Sequence, residues 1–228
     1  MPCNRNKPTR PTPLLVALIS LIGMFMGSFA QADQTVPQKA EDVKPIMVGQ
    51  VVPPVKLKTI EGKTFDLNES IEEKPTLLIF YRGSWCPYCN THLADLREIE
   101  KELLDMGFQI LAISPDQPEY LKKTTSKLEL NYQLLSDSDM SASKALGLAF
   151  EVDAATRELY VDYGIDLEKN SGQTHHLLPV PAAILVNPHG KVTFSFIAPD
   201  YKVRVENSVL LAAAKAQMED TKKKLTGS

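Results

Sequence analysis

The sequence predicts one α/β domain built on a central mixed β-sheet flanked by helices, with an N-terminal hairpin extension. Three observations predict it. Apolar, strand-length runs alternate with helical stretches between residues 76 and 135, the order that crossover units of a parallel sheet produce. Residues 182–186 and 191–196 are strand runs separated by the turn-forming Asn187-Pro188-His189-Gly190, and read as an antiparallel hairpin. A dithiol, Cys86-Pro87-Tyr88-Cys89, stands where the first buried strand gives way to a helix.

Taken in order, residues 1–32 read as a secretory signal peptide that is cleaved. Arg5, Lys7 and Arg10 form a basic leader, residues 14–29 are apolar, and Ala30-Gln31-Ala32 is a small-x-small cleavage site. The apolar run is shorter than the roughly 20 residues a spanning helix needs, so no stable membrane association is expected after cleavage. The expected location is the bacterial periplasm. Residues 33–47 are polar enough for a flexible N-terminal arm, and residues 48–222 form the domain. Cleavage takes three basic residues from 25, leaving 22 against 28 acidic and a formal charge of −6. Nucleic-acid binding is disfavoured by that balance.

Residues 55–59 alternate like a half-exposed strand, and Glu61-Gly62-Lys63 turns the chain into a second strand at 64–67. The run 76–81 is apolar throughout, as in a strand buried on both faces. Leu93, Leu96, Ile99, Leu103 and Met106 recur at helical spacing, which predicts a single helix from the Cys pair to Gly107. A strand over 108–114, a helix over 118–128 and a short strand over 132–135 follow. The stretch from 137 to 179 is less regular, with helical segments at 141–146 and 155–163 that cover an edge or shape a substrate surface. A closing helix over 205–224 carries Val209, Leu210, Ala213 and Met218 on one stripe.

Signal cleavage also removes Cys3, so the mature chain keeps only Cys86 and Cys89. One pair at this spacing favours redox work over a structural bridge, because a two-residue loop constrains the unfolded chain little. A thiol at a helix N-terminus faces unpaired N–H groups and the positive end of the macrodipole, which favour the attacking thiolate. Pro87 suits the first helical turn, where its missing N–H costs nothing. Arg82 is a candidate to stabilise that thiolate, and Asp116 ends a strand where it serves a site or caps a helix. A non-enzyme alternative is a copper metallochaperone, in which both thiolates meet His92, His175 or His176 around the metal.

The block Tyr81-Arg82-Gly83-Ser84-Trp85-Cys86-Pro87-Tyr88-Cys89 and the segment Leu178-Pro179-Val180-Pro181-Ala182 resemble the thioredoxin superfamily. The closer resemblance is to the peroxiredoxin-like branch of the alkyl hydroperoxide reductase C and thiol-specific antioxidant (AhpC/TSA) family, over residues 48–215. It implies a thioredoxin-like fold, a redox disulfide between Cys86 and Cys89, Trp85 packed beside the pair, and a cis-proline at Pro181 facing it. Tyr88, Pro87 and Arg82 complete the expected supporting set. No bound cofactor and no metal are required.

The family's Pro-x-x-x-Thr-x-x-Cys block, laid on this chain without gaps, puts Arg82 at its Pro, Cys86 at its Thr and Cys89 at its peroxide-reactive Cys. Pro181 falls where the family's later Arg would be. These departures favour a thiol-disulfide oxidoreductase, with a thiol-dependent peroxidase of antioxidant type as the alternative. The partners expected are a disulfide-containing protein or a small thiol or hydroperoxide, and a separate thiol reductant. Dithiol exchange makes Cys86 the more exposed, lower-pKa nucleophile and Cys89 the resolving residue, whereas the peroxiredoxin alignment assigns attack to Cys89. Phe80 stands where thioredoxins bury an acidic residue, so proton handling must differ, through water or Tyr88.

Overall fold

The computed structural model describes Met1 and residues 35–226. Apart from Met1, the segment read as a signal peptide lies outside the described residues. The chain divides into two units, Met1–Thr35 and Val36–Ser228, and the second carries every element below.

A 3-10 turn at Ala40–Asp42 precedes β1 (Lys56–Lys58), β2 (Thr64–Asp66), α1 (Leu67–Glu73), β3 (Thr76–Phe80), α2 (Pro87–Asp95), α3 (Arg97–Asp105) and β4 (Gln109–Ser114). Next come α4 (Pro118–Leu128), β5 (Gln133–Ser136), α5 (Ser141–Ala145), β6 (Ala149–Glu151), α6 (Ala154–Asp162) and α7 (Leu167–Ser171). β7 (Leu177–Pro179), β8 (Ala182–Val186), β9 (Val192–Ile197) and α8 (Asn207–Thr226) complete the chain. Seven strands form one mixed sheet in the order β2-β1-β5-β4-β3-β8-β9. β3, β4 and β5 are parallel, as strands joined by helical crossovers must be, and both predicted hairpins pair antiparallel toward the edges.

All five residues of β3 are buried because elements cover both faces of the sheet. Leu77 and Ile79 pack with Cys86, Cys89 and Leu93 on one side, while Leu78 and Phe80 pack with Leu67, Ile71 and Leu146 on the other. Each such side chain contributes roughly 1.5–3 kcal/mol by leaving water. Strand alternation then returns Tyr81 to the dithiol side, where it joins the cluster containing Cys89.

Three expectations are corrected. The helix predicted as one piece after the Cys pair bends at Leu96 into α2 and α3. Tyr132 Oη donates to the Leu93 carbonyl at 2.6 Å and Asn207 Nδ2 to the Asp95 carbonyl at 2.9 Å, so distant side chains take carbonyls from the helical ladder. The arm expected to be flexible over 33–47 is tied down where it is described. Glu151 N donates to Pro37 O at 2.8 Å and Ile46 N to Leu146 O at 2.9 Å, while Val36 packs on Met140 and Leu177. Finally, Pro181 is not cis, and no cis peptide occurs among the described residues. β6 and β7 form a small antiparallel ladder, and the chain continues extended from it into β8. Val180 N bonds Leu148 O at 2.9 Å and Pro181 O accepts from Ala198 N at 3.0 Å, which holds that run in the ordinarily preferred trans form.

Candidate active site

The loop from β3 to α2 is shaped by its backbone. Gly83 has φ +150, and a Cβ there would lie 2.4 Å from Trp85 Nε1 and 3.1 Å from Asp116 Oδ1, so only glycine fits. Ser84 N donates to Asp116 Oδ2 at 2.7 Å, Asn90 Nδ2 to Ser84 O at 2.8 Å, and Cys86 N to Gly83 O at 3.1 Å. These bonds deliver Cys86 to the N-cap of α2, with Pro87 in its first turn and Cys89 further along that turn.

Both cysteines are free thiols, and both are buried: Cys86 is 1% exposed and Cys89 0%. Cys86 keeps only a slight excess of exposure over Cys89, because the side chains gathered around Arg82 crowd the site. The asymmetry between the two sulfurs is instead electrostatic. A hydrogen bond from the Cys89 thiol holds the Cys86 sulfur down to about 6 against the opposing effect of burial, with the Cys89 backbone N–H, Arg82 and Arg204 adding to the lowering. Burial, then the hydrogen bond and charge of Cys86, push the Cys89 thiol well above its ordinary value. Cys86 is thus the thiolate at neutral pH and Cys89 holds its proton.

The cap is built around Arg82, which is buried rather than solvated. Its Cζ lies 4.0 Å from the Tyr201 ring centroid, 4.8 Å from Trp85 and 5.6 Å from Tyr160, and its Nη2 donates to Tyr160 Oη. Among the described residues no carboxylate forms an ion pair with Arg82, so ring faces and the nearby thiolate supply its counter-charge. Trp85 packs on Tyr160 at 5.5 Å, and Tyr88, 43% exposed, meets Tyr201 edge-on at 5.8 Å. Tyr160 comes from α6, none of whose residues is buried, so the irregular stretch after β6 serves the site rather than the core.

Arg204 is a functional residue that sequence reasoning missed. It follows β9 by several residues with no motif around it, yet its Nη2 lies 3.3 Å from Cys89 Sγ. Tyr201 and Val203 carbonyls hold its Nη1 at 2.6 and 2.7 Å. His92 is buried beside it, with Nε2 unpartnered, and burial followed by the Arg204 charge lowers its pKa to about 4. His175 Nε2 bonds Ser138 O, while His176 bonds Arg157 and Glu168. No group of three His, Cys, Asp or Glu able to hold a metal forms among the described residues, and none of the three histidines joins the two thiols in one. Pro181 sits at the start of β8 without the cis geometry that was to face the dithiol.

Behind Cys89 lies a second polar group. Tyr81 and Asp116 are fully buried, and neither Tyr81 Oη nor Asp116 Oδ1 has a hydrogen-bond partner among the described residues. Asp116 caps no helix. Its Oδ2 accepts from Ser84 N and, at 3.2 Å, from Ser114 Oγ.

With this geometry in place, residues 48–195 match the AhpC/TSA family. Peroxiredoxin Bcp of Escherichia coli K12 is 30% identical over 106 residues, covering 46% of this chain and 67% of that protein. The thiol-disulfide oxidoreductase ResA of Halalkalibacterium halodurans is 22% identical over 137 residues, 60% of each chain. In structure, reduced Prx3 of Vibrio vulnificus in complex with hydrogen peroxide superposes with a TM-score of 0.62 at 20% identity, covering 75% of this chain and 98% of that one.

Proposed function

Because this chain belongs to the AhpC/TSA family, whose members resembling it are oxidoreductases of thioredoxin fold, we propose that it reduces hydroperoxides with Cys86 as the attacking sulfur. The observation that carries this reading is a thiolate enclosed by the Arg82, Trp85, Tyr160 and Tyr201 cap. A sulfur so enclosed favours a substrate as small as a hydroperoxide over a folded protein disulfide. The Cys86 thiolate attacks the terminal peroxide oxygen, the O–O bond breaks, and the alcohol or water leaves as Cys86 becomes a sulfenic acid. Arg82 and Arg204 bring positive charge to the two sulfurs, the service for which the family alignment offered only Pro181. Cys89 then displaces water from the sulfenic sulfur to close the Cys86–Cys89 disulfide, and a separate thiol reductant restores both thiols.

Disulfide exchange is the second reading. It is supported by Cys86 and Arg82 standing where peroxiredoxins place their Thr and Pro, and by the similarity to ResA. It requires the cap to move.

Side-by-side turnover of hydrogen peroxide and of a protein disulfide, each with a thiol reductant, tests the choice. Faster peroxide turnover supports the first reading, and disulfide turnover without peroxide consumption installs the second. The Cys86→Ser protein should lose both activities, while Cys89→Ser should consume a single equivalent of peroxide and hold sulfenic acid at Cys86. Rapid peroxide consumption by Cys86→Ser, with sulfenic acid at Cys89, would reverse the order of the sulfurs. Export to the periplasm belongs to the same proposal. N-terminal sequencing of protein from fractionated cells should find Asp33 first, and a retained Met1 would overturn it.

A further inference from the structure

Two arginines serve this site, and they stand differently toward its sulfurs. Arg82 spends its contacts on the faces of Trp85, Tyr160 and Tyr201 and on Tyr160 Oη. Arg204 reaches a sulfur directly, its Nη2 donating to Cys89 Sγ at 3.3 Å. The chain that carries Arg204 holds the rest of the group still: Nη1 donates to the Tyr201 and Val203 carbonyls at 2.6 and 2.7 Å, and Val205 is buried in the same apolar cluster as Cys89. No carboxylate forms an ion pair with Arg204 among the described residues. A neutral thiol gains little from such a partner and an anion gains much, because hydrogen bonds to charged groups are about twice as strong as neutral ones. Arg204 is therefore placed for a state of Cys89 that the resting pair does not contain.

We propose that Arg204 is a catalytic residue of the resolving step, its Nη2 holding the negative charge that gathers on Cys89 Sγ as that sulfur attacks Cys86. The role rests on the reading in which Cys86 attacks peroxide and Cys89 resolves. In the step the S–S bond forms as the Cys86 S–O bond breaks, and the proton leaving Cys89 joins the departing hydroxide as water. Nothing else is consumed, and the guanidinium keeps its protons throughout.

The same contact gives the cycle its order. While Cys86 is an anion, its hydrogen bond and its charge keep the proton on Cys89, which stays unreactive. A sulfenic acid at Cys86 is neutral, so both of those effects vanish, and burial is left opposing the Arg204 charge. The other ionisable groups around the contact are Tyr81 and His92. Burial keeps both uncharged, raising Tyr81 and lowering His92 to about 4, so neither competes with Arg204 for the developing anion.

Trp85 is the chain's single tryptophan and packs against Arg82, so its fluorescence follows both steps when the purified, reduced protein meets hydrogen peroxide in stopped flow. The attack phase scales with peroxide concentration and the resolving phase does not. Arg204→Gln should slow the resolving phase about a hundredfold and the attack phase only a few-fold, and dimedone should then trap sulfenic acid at Cys86. Arg204→Lys keeps the charge and the stem, and should slow the resolving phase only about tenfold, a rescue that a merely structural role would not give. That variant also supplies the result if Arg204→Gln folds poorly. A resolving phase at the wild-type rate in both variants would overturn the role, and so would equal slowing of both phases without rescue by lysine. A wild-type protein with no peroxide-dependent phase would instead overturn the reading on which the role rests.

Discussion

Asp116 and Asp137 follow the C-terminal ends of β4 and β5, neighbouring parallel strands, and so arrive at the same edge of the sheet. Both are buried, and burial lifts both to about 6. Their oxygens are treated differently. Asp137 Oδ1 accepts from Ala142 N at 2.9 Å, and its Oδ2 from Ser143 N at 2.8 Å and Ser143 Oγ at 2.6 Å, fastening the start of α5. Asp116 fastens the active-site loop with one oxygen only. A buried carboxylate with both oxygens engaged is a clamp, whereas one with an idle oxygen holds its surroundings through half of its acceptors.

The largest effect that would sharpen this contrast belongs to the clamp. Asp137→Ala strands the Ala142 and Ser143 N–H groups in the interior and should cost about 3 kcal/mol, read as a lower urea midpoint. Asp116→Asn should do the opposite. Its folded pKa is raised, so the native state is penalised as pH climbs from the unfolded carboxylate range through about 6. Removing that titration should stabilise the protein by about 3 kcal/mol above pH 6 and leave it unchanged at pH 3, measured by urea unfolding across pH. A loss of stability at every pH would show that Asp116 is a clamp too. Smallest is Ser114→Ala, which removes the bond Oγ donates to Asp116 Oδ2 and the one it accepts from Asp116 N, and should cost about 1–2 kcal/mol. It should also raise the pH at which Asp116 titrates, since its bond to Ser114 lowers that pKa.

The strands and helices of the sheet were legible because their residues are apolar at the spacing their burial demands, from Leu77 through Leu135 and again from Ala182. The bend at Leu96 was not, since its causes are Tyr132 and Asn207, side chains that no local pattern connects to the helix. The dithiol and its position at a helix N-terminus could be read directly from Cys86 and Cys89. The cap could not: Tyr160 and Tyr201 are brought to Arg82 by packing alone, and three-residue strands such as β6 and β7 are too short to carry a period. Tyr81 was within reach, because alternation from Leu77 and Ile79 already places it on the side of the thiols. Pro181 misled because a resemblance in sequence does not specify the isomer of its peptide bond.

The anion at Cys86 also sets how the pair behaves as an electrode. A reduced pair in which one sulfur titrates near 6 rather than 9 takes up a single proton on reduction above that pH. Its potential should therefore fall by about 30 mV per pH unit there, half the slope expected of two ordinary thiols. At neutral pH the same anion favours the reduced pair by about 1.4 kcal/mol, raising the potential by about 30 mV. The oxidised protein is correspondingly easier to reduce, and a milder thiol donor suffices to recycle it.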